Sequence, residues 1–162
     1  MGPRPECRGH ARAGTLPGVD EDERVPIAWN DIVDAFEAVA VWVGARVGEG
    51  MAPLEAFQRA ERVLGVPAAY RDRFWRIAVP VIAESDLAAG RRPSLAGADL
   101  SGVDLSEGDL RGFDLAGAVL AGADLAGALL DGADLTGADL TDADLEGTSL
   151  VGAVMPDGTV AP

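Results

Sequence analysis

Lysine is missing from this 162-residue chain: all 13 basic residues are arginine, a bias that fits a GC-rich bacterial genome. Basic residues of any kind stop at Arg111, so phosphate and anionic lipid are poor partners for everything beyond it. Cysteine occurs once, as Cys7, which excludes an internal disulfide and points to a reducing compartment. Histidine also occurs once, as His10, in a segment with no helical or strand periodicity, so neither a Ser-His-Asp nor a Cys-His arrangement has a folded home. Cys7 and His10 make at most half a metal site, and no cofactor is expected. The longest apolar stretch, Ala38–Ala45, is too short to cross a bilayer. Arg4, Arg8 and Arg12 are not followed by the apolar core of a secretory leader. These absences predict a cytoplasmic, non-enzymatic protein with no membrane partner.

What is present is glycine and acid. There are 21 glycines and a net charge of −14. Residues 1–90 hold 10 Arg against 14 acids, whereas residues 91–162 hold 3 Arg against 13. The second half therefore carries −10 of the charge, which argues against direct nucleic-acid binding.

Residues 1–25 mix Gly, Pro, Arg and acids without periodicity and read as a disordered tail. Residues 26–90 read as a small helical bundle. Trp29, Ile32, Val33, Phe36, Val39, Ala40, Val43 and Val47 share one helical face, stopped by Gly48 and Gly50. Pro53 opens a second helix that Gly65 closes, and Pro67 opens a third. Pro80 is expected to kink or split the third helix before Gly90 ends it. Trp42 lies off the first apolar face and Trp75 stands beside Phe74, so one of these two indoles is expected to be exposed, with Trp42 a candidate partner anchor.

At Leu95 the period changes. Leucine then falls at every fifth residue through Leu150, twelve times, with Met155 in the next slot. A step of five matches neither 3.6 nor 2, so neither an amphipathic helix nor a flat strand explains it. The residue two before each Leu is small, the one before is usually Asp, and the one two after is usually Gly. Ala98-Asp99-Leu100-Ser101-Gly102 and Ala138-Asp139-Leu140-Thr141-Asp142 show the pattern. It resembles the pentapeptide-repeat family over about residues 93–158. The resemblance implies a right-handed, four-sided β-helix in which each pentapeptide makes one side and Leu and the small residue point inward. The expected architecture is α + β: a tail (1–25), a helical bundle and cap (26–90), a β-helix of about three coils (91–158) and a C-terminal tail (159–162).

Residues 20 apart should then stack, Leu95 on Leu115 on Leu135 and Asp104 on Asp124 on Asp144. Coils spaced by about 4.8 Å make a rod about 15 Å tall. Its first coil needs a cap, which Val79–Leu87 is expected to supply. Phe113 occupies a small-residue slot, one slot after Gly108, and reads as core filling. Val119, Leu129 and Val154 replace outward Asp, leaving open either scattered apolar residues or a partner contact. Val151, Val154 and Met155 could plug the far end or join two copies as a homodimer.

Two functions follow. The preferred one is a non-catalytic interaction or scaffold protein, with Asp104, Asp124, Asp134, Asp139 and Asp144, together with Val119, Leu129 and Trp42, as candidate partner-binding residues. The alternative comes from the resemblance: some family members protect DNA gyrase by imitating duplex DNA. Residues 95–155 carry a net −11, about one charge per 1.4 Å of rod against about 1.7 Å for duplex DNA. A 15 Å rod, however, spans only about four or five base pairs.

Overall fold

The computed structural model describes residues 32–162. The expected tail, Trp29, Cys7 and His10 lie outside the described residues. Helix α1 spans Ile32–Gly48 and α2 spans Pro53–Val63. A single 3₁₀ turn at Ala68–Tyr70 leads into α3, Arg71–Ala88. Proline stands at the first position of α2, where its missing N–H costs nothing. Pro80 lies inside α3, which runs unbroken from Arg71 to Ala88, so of the two expected effects the split is excluded. Gly90, at φ +69°, turns the chain out of the helix.

α2 packs between α1 and α3. Val39, Trp42 and Val43 from α1, Ala56, Phe57 and Ala60 from α2, and Phe74, Ala78 and Ile82 from α3 are buried. The Phe57 and Phe74 rings meet edge to face at 5.8 Å, and Phe74 meets Trp75 likewise at 5.6 Å. The buried stripe of α1 passes through Trp42, not Ala40, which is exposed. Trp42 is thus no exposed anchor. It is 5% exposed, and the Arg46 guanidinium lies over its ring at 5.3 Å. Trp75 is fully buried as well, because α3 is covered both by α2 and by the solenoid. Neither indole N–H has a hydrogen-bond partner among the described residues.

From Ser94 onward every side of the solenoid is a single parallel bridge flanked by turns. Ser94 pairs with Asp114, Asp114 with Asp134, and Asp134 with Val154; the other three sides repeat the same step of 20. No side forms an extended strand, because two of its five residues are spent on the corner. At each corner the small residue's N–H bonds the carbonyl of the Leu three before it, as Ala98 does to Leu95 at 3.0 Å. The intervening residue sits in the left-handed region, and is Gly at φ near +66° except at Glu107 and Asp142. Leu95 through Leu135 are buried to 5% exposure or less, and Phe113 fills the interior beside them. Gly108 is required in its own right: a Cβ there would stand 2.8 Å from the Leu105 carbonyl oxygen.

The helices and the first coil share one continuous core. Residues 159–162 are no free tail. Val160 pairs antiparallel with Val154, and Ala161 exchanges hydrogen bonds with Gly152 and Ala153 at 3.0 and 2.8 Å.

Candidate interaction surfaces

The carboxylate one residue before each Leu grips its own turn. Asp99, Asp104, Asp114, Asp124, Asp134, Asp139 and Asp144 each accept the backbone N–H two residues on, at 2.9–3.1 Å. Where that next residue is Ser or Thr, its hydroxyl donates to the same oxygen, as Thr141 does to Asp139 at 2.6 Å. The hydroxyl bond, with the backbone N–H beside it, holds Asp99, Asp104, Asp134, Asp139 and Asp157 below the usual carboxylate range. Asp109 is held down by the side chain of Arg111. These aspartates are turn-supporting residues before they are anything else.

The twenty-residue step sorts the predicted site residues by side. Asp104, Asp124 and Asp144 stack on one side. Asp134 shares a side with Asp114 and Val154, and Asp139 with Asp99 and Val119. Leu129 lies with Asp109 and Ser149. Val119 and Leu129 therefore occupy opposite sides and form no common patch. Val151 is exposed, Val154 is half-buried beneath Val160, and Met155 is half-buried at the open end.

Residues with no periodic pattern join the two parts. Arg71 reaches the carbonyls of Asp99 and Ser101 at 2.6 and 2.5 Å and pairs with Glu61 at 2.7 Å. Asp72 accepts the Asp104 N–H at 3.2 Å, and Arg76 pairs with the Asp104 carboxylate at 3.0 Å. Buried Asp86 accepts the Ser94 N–H at 3.3 Å and pairs with Arg91 at 2.7 Å. α3 thus meets the edge of the first coil at points along its length, from Arg71 to Asp86. The expected cap, Val79–Leu87, takes in buried Val79, Ile82 and Asp86 but misses Arg71, Asp72 and Arg76, and its last residue, Leu87, is 63% exposed.

The other end is open. The N–H groups of Leu140, Asp142, Leu145, Gly147 and Leu150 have no partner among the described residues, and Leu140, Leu145 and Leu150 are only half-buried. On the bundle, a groove of about 250 Å³ runs between α1 and α3, lined by Val39, Ala40, Val43, Gly44, Ile77 and Val81 among others. Among the described residues no cluster of His, Cys, Asp and Glu could hold a metal, and no helix is long and apolar enough to cross a membrane.

A square solenoid wound from five-residue sides defines a repeat protein whose interior is filled by leucine. The pentapeptide-repeat family model matches residues 98–137 and 118–155, and the chain belongs to that family. Among solved structures it is similar to a pentapeptide repeat protein of the Arabidopsis thaliana thylakoid lumen, at 29% identity over 42% of this chain and 48% of that one, with a TM-score of 0.29. It is similar at 35% identity to HetL of the cyanobacterium Nostoc, a protein involved in heterocyst differentiation regulation (45% of each chain, TM-score 0.21). A second Nostoc pentapeptide repeat protein matches at 35% identity over 43% of this chain and 73% of that one, with a TM-score of 0.22. The chain spans about half the length of the first two. No curated protein matches it.

Proposed function

We propose that this chain is a non-catalytic cytoplasmic interaction protein whose right-handed solenoid of about three coils offers a rigid acidic surface, while the helical domain docks a protein partner. The observation that carries the reading is the stacked trio Asp104, Asp124 and Asp144 on a backbone whose interior is closed by leucine. Such a surface holds its charges in fixed register and leaves no interior space for chemistry. The apolar groove between α1 and α3 supports the bundle as the second contact. Capture of the same partner from the native host by the wild type and by the Asp104→Asn, Asp124→Asn, Asp144→Asn triple variant would sink the acidic-surface reading.

Charge density favours the gyrase-binding alternative, and length disfavours it. A supercoiling assay with and without a fluoroquinolone separates the two: protection or inhibition at low micromolar protein would replace our reading. The unpaired edge around Leu140, Leu145 and Leu150 supports a homodimer formed end to end. A monomeric mass by light scattering across the micromolar range would remove it.

A further inference from the structure

Each repeat of the second coil leaves only its corner carbonyl outside the backbone ladder. In the side Ala118–Gly122, the Ala118 oxygen accepts from Asp139, Val119 from Leu100, Leu120 from Ala123, and Ala121 from Gly102, all at 2.8–3.0 Å. The Gly122 carbonyl has no partner among the described residues, and the same is true of Gly102 and Asp142 in its corner. Every corner therefore carries a column of spare acceptors, one per coil, about 4.8 Å apart.

One corner shows what such a column holds. The Arg92 guanidinium donates to the carbonyls of Gly112 at 2.5 Å, Phe113 at 3.0 Å and Gly132 at 3.1 Å, and stands 4.0 Å from the Asp134 carboxylate. The planar fork spans two coils at once and keeps a carboxylate beside it. Arg71 makes the related contact on the first coil's edge. A lysine ammonium offers no such fork.

The equivalent positions at the other corners follow by the repeat. Two corners lack the carboxylate at the second coil, because Val119 and Leu129 stand where Asp is usual. The corner diagonal to Arg92 has it at every coil: Gly102 and Gly122 with Asp124, then Gly122 and Asp142 with Asp144. No arginine of the described chain lies on those carbonyls, and Arg76 reaches only Asp104 in the first coil.

We propose that this diagonal corner is a receptor for arginine side chains of a partner protein, two of them about 5 Å apart, each bridging two coils as Arg92 does. That spacing is what one helix face presents at i and i+4. The inference rests on reading the solenoid as an interaction surface and names the chemistry that surface selects.

The test uses the full-length protein and two labelled helical peptides, one with Arg at i and i+4 and one with Lys there, titrated by anisotropy at low salt. The arginine peptide is expected to bind, and Asp124→Asn and Asp144→Asn each to weaken it by about fivefold. Asn keeps the oxygen that supports the turn, so the fold is retained. Asp114→Asn, on the Arg92 corner, is expected to change nothing. Equal binding of both peptides, no binding, or equal losses for Asp114→Asn and Asp124→Asn would overturn the proposal. Loss of peptide binding with the host partner still captured through the acidic side would end this inference alone and leave the broader reading standing.

Discussion

At the scale of single residues, two corners break the glycine rule. Glu107 and Asp142 sit at φ +57° and +56° in slots that glycine fills elsewhere. A left-handed conformation costs an L-residue about 1–2 kcal/mol, and glycine's extra unfolded freedom returns about 0.5–1 kcal/mol of that. Glu107→Gly is therefore expected to stabilise the protein by about 0.5–1 kcal/mol in urea unfolding, with Asp142→Gly giving less because Asp tolerates this region better. A destabilised Glu107→Gly would refute the strain argument. The hydroxyl-supported aspartates make a second prediction. Their folded-state values lie below the unfolded one, so their contribution is complete above about pH 4 and is lost as pH falls through the lowered values. Melting followed from pH 7 to pH 2 should show this acid limb, and Thr136→Val with Thr141→Val should flatten it. An identical acid profile in that double variant would show the hydroxyls to be irrelevant. Trp42 marks where residue-level reading failed. A spacing of three from Val39 and one from Val43 puts it in the buried stripe, but the stripe's centre depends on where α2 packs, which the local pattern does not contain.

At the scale of elements, the leucine period was legible to the residue, including the register of 20. It was legible because every inward slot must meet the same neighbour one coil away. The cap was legible only in outline. Arg71, Asp72, Arg76 and Asp86 have no period and look like any charged residues on a surface helix, yet three of them meet backbone groups of the first coil and Arg76 meets its Asp104 carboxylate. Asp86→Ala removes a 5%-exposed carboxylate that serves both Ser94 and Arg91, and is expected to cost about 1.5–3 kcal/mol in chemical unfolding. A change under 0.5 kcal/mol would show the junction to be passive. Removing residues 1–90 should leave an insoluble solenoid, whereas a soluble fragment with a cooperative melt would show that the first coil needs no cover. Arg92→Lys keeps the charge and loses the fork. It is expected to cost nearly as much as Arg92→Ala, and full retention of stability in the lysine variant would show that charge alone suffices there.

At the scale of the whole molecule, the two ends are unlike. The bundle end is closed by helix α3 and holds Arg71, Arg76, Arg91, Arg92 and Arg111 near the first coil, while the far end has open edges and, among the described residues, no basic side chain. The rod is thus electrically graded along its axis, with its negative charge least offset in the second and third coils. This gradient was visible in the sequence as the halt of arginine at position 111, though not its direction in space.

Twenty residues per turn also makes the surface an address system counted modulo four. Excising one pentapeptide keeps a leucine in every layer and so spares the interior, but it turns everything downstream by a quarter revolution and scatters the Asp104, Asp124 and Asp144 column around the rod. Excising or duplicating twenty residues shifts height and leaves each column aligned. Length changes in relatives that keep a partner should therefore come in whole turns, while five-residue changes are free to rewire the outside of an unchanged core.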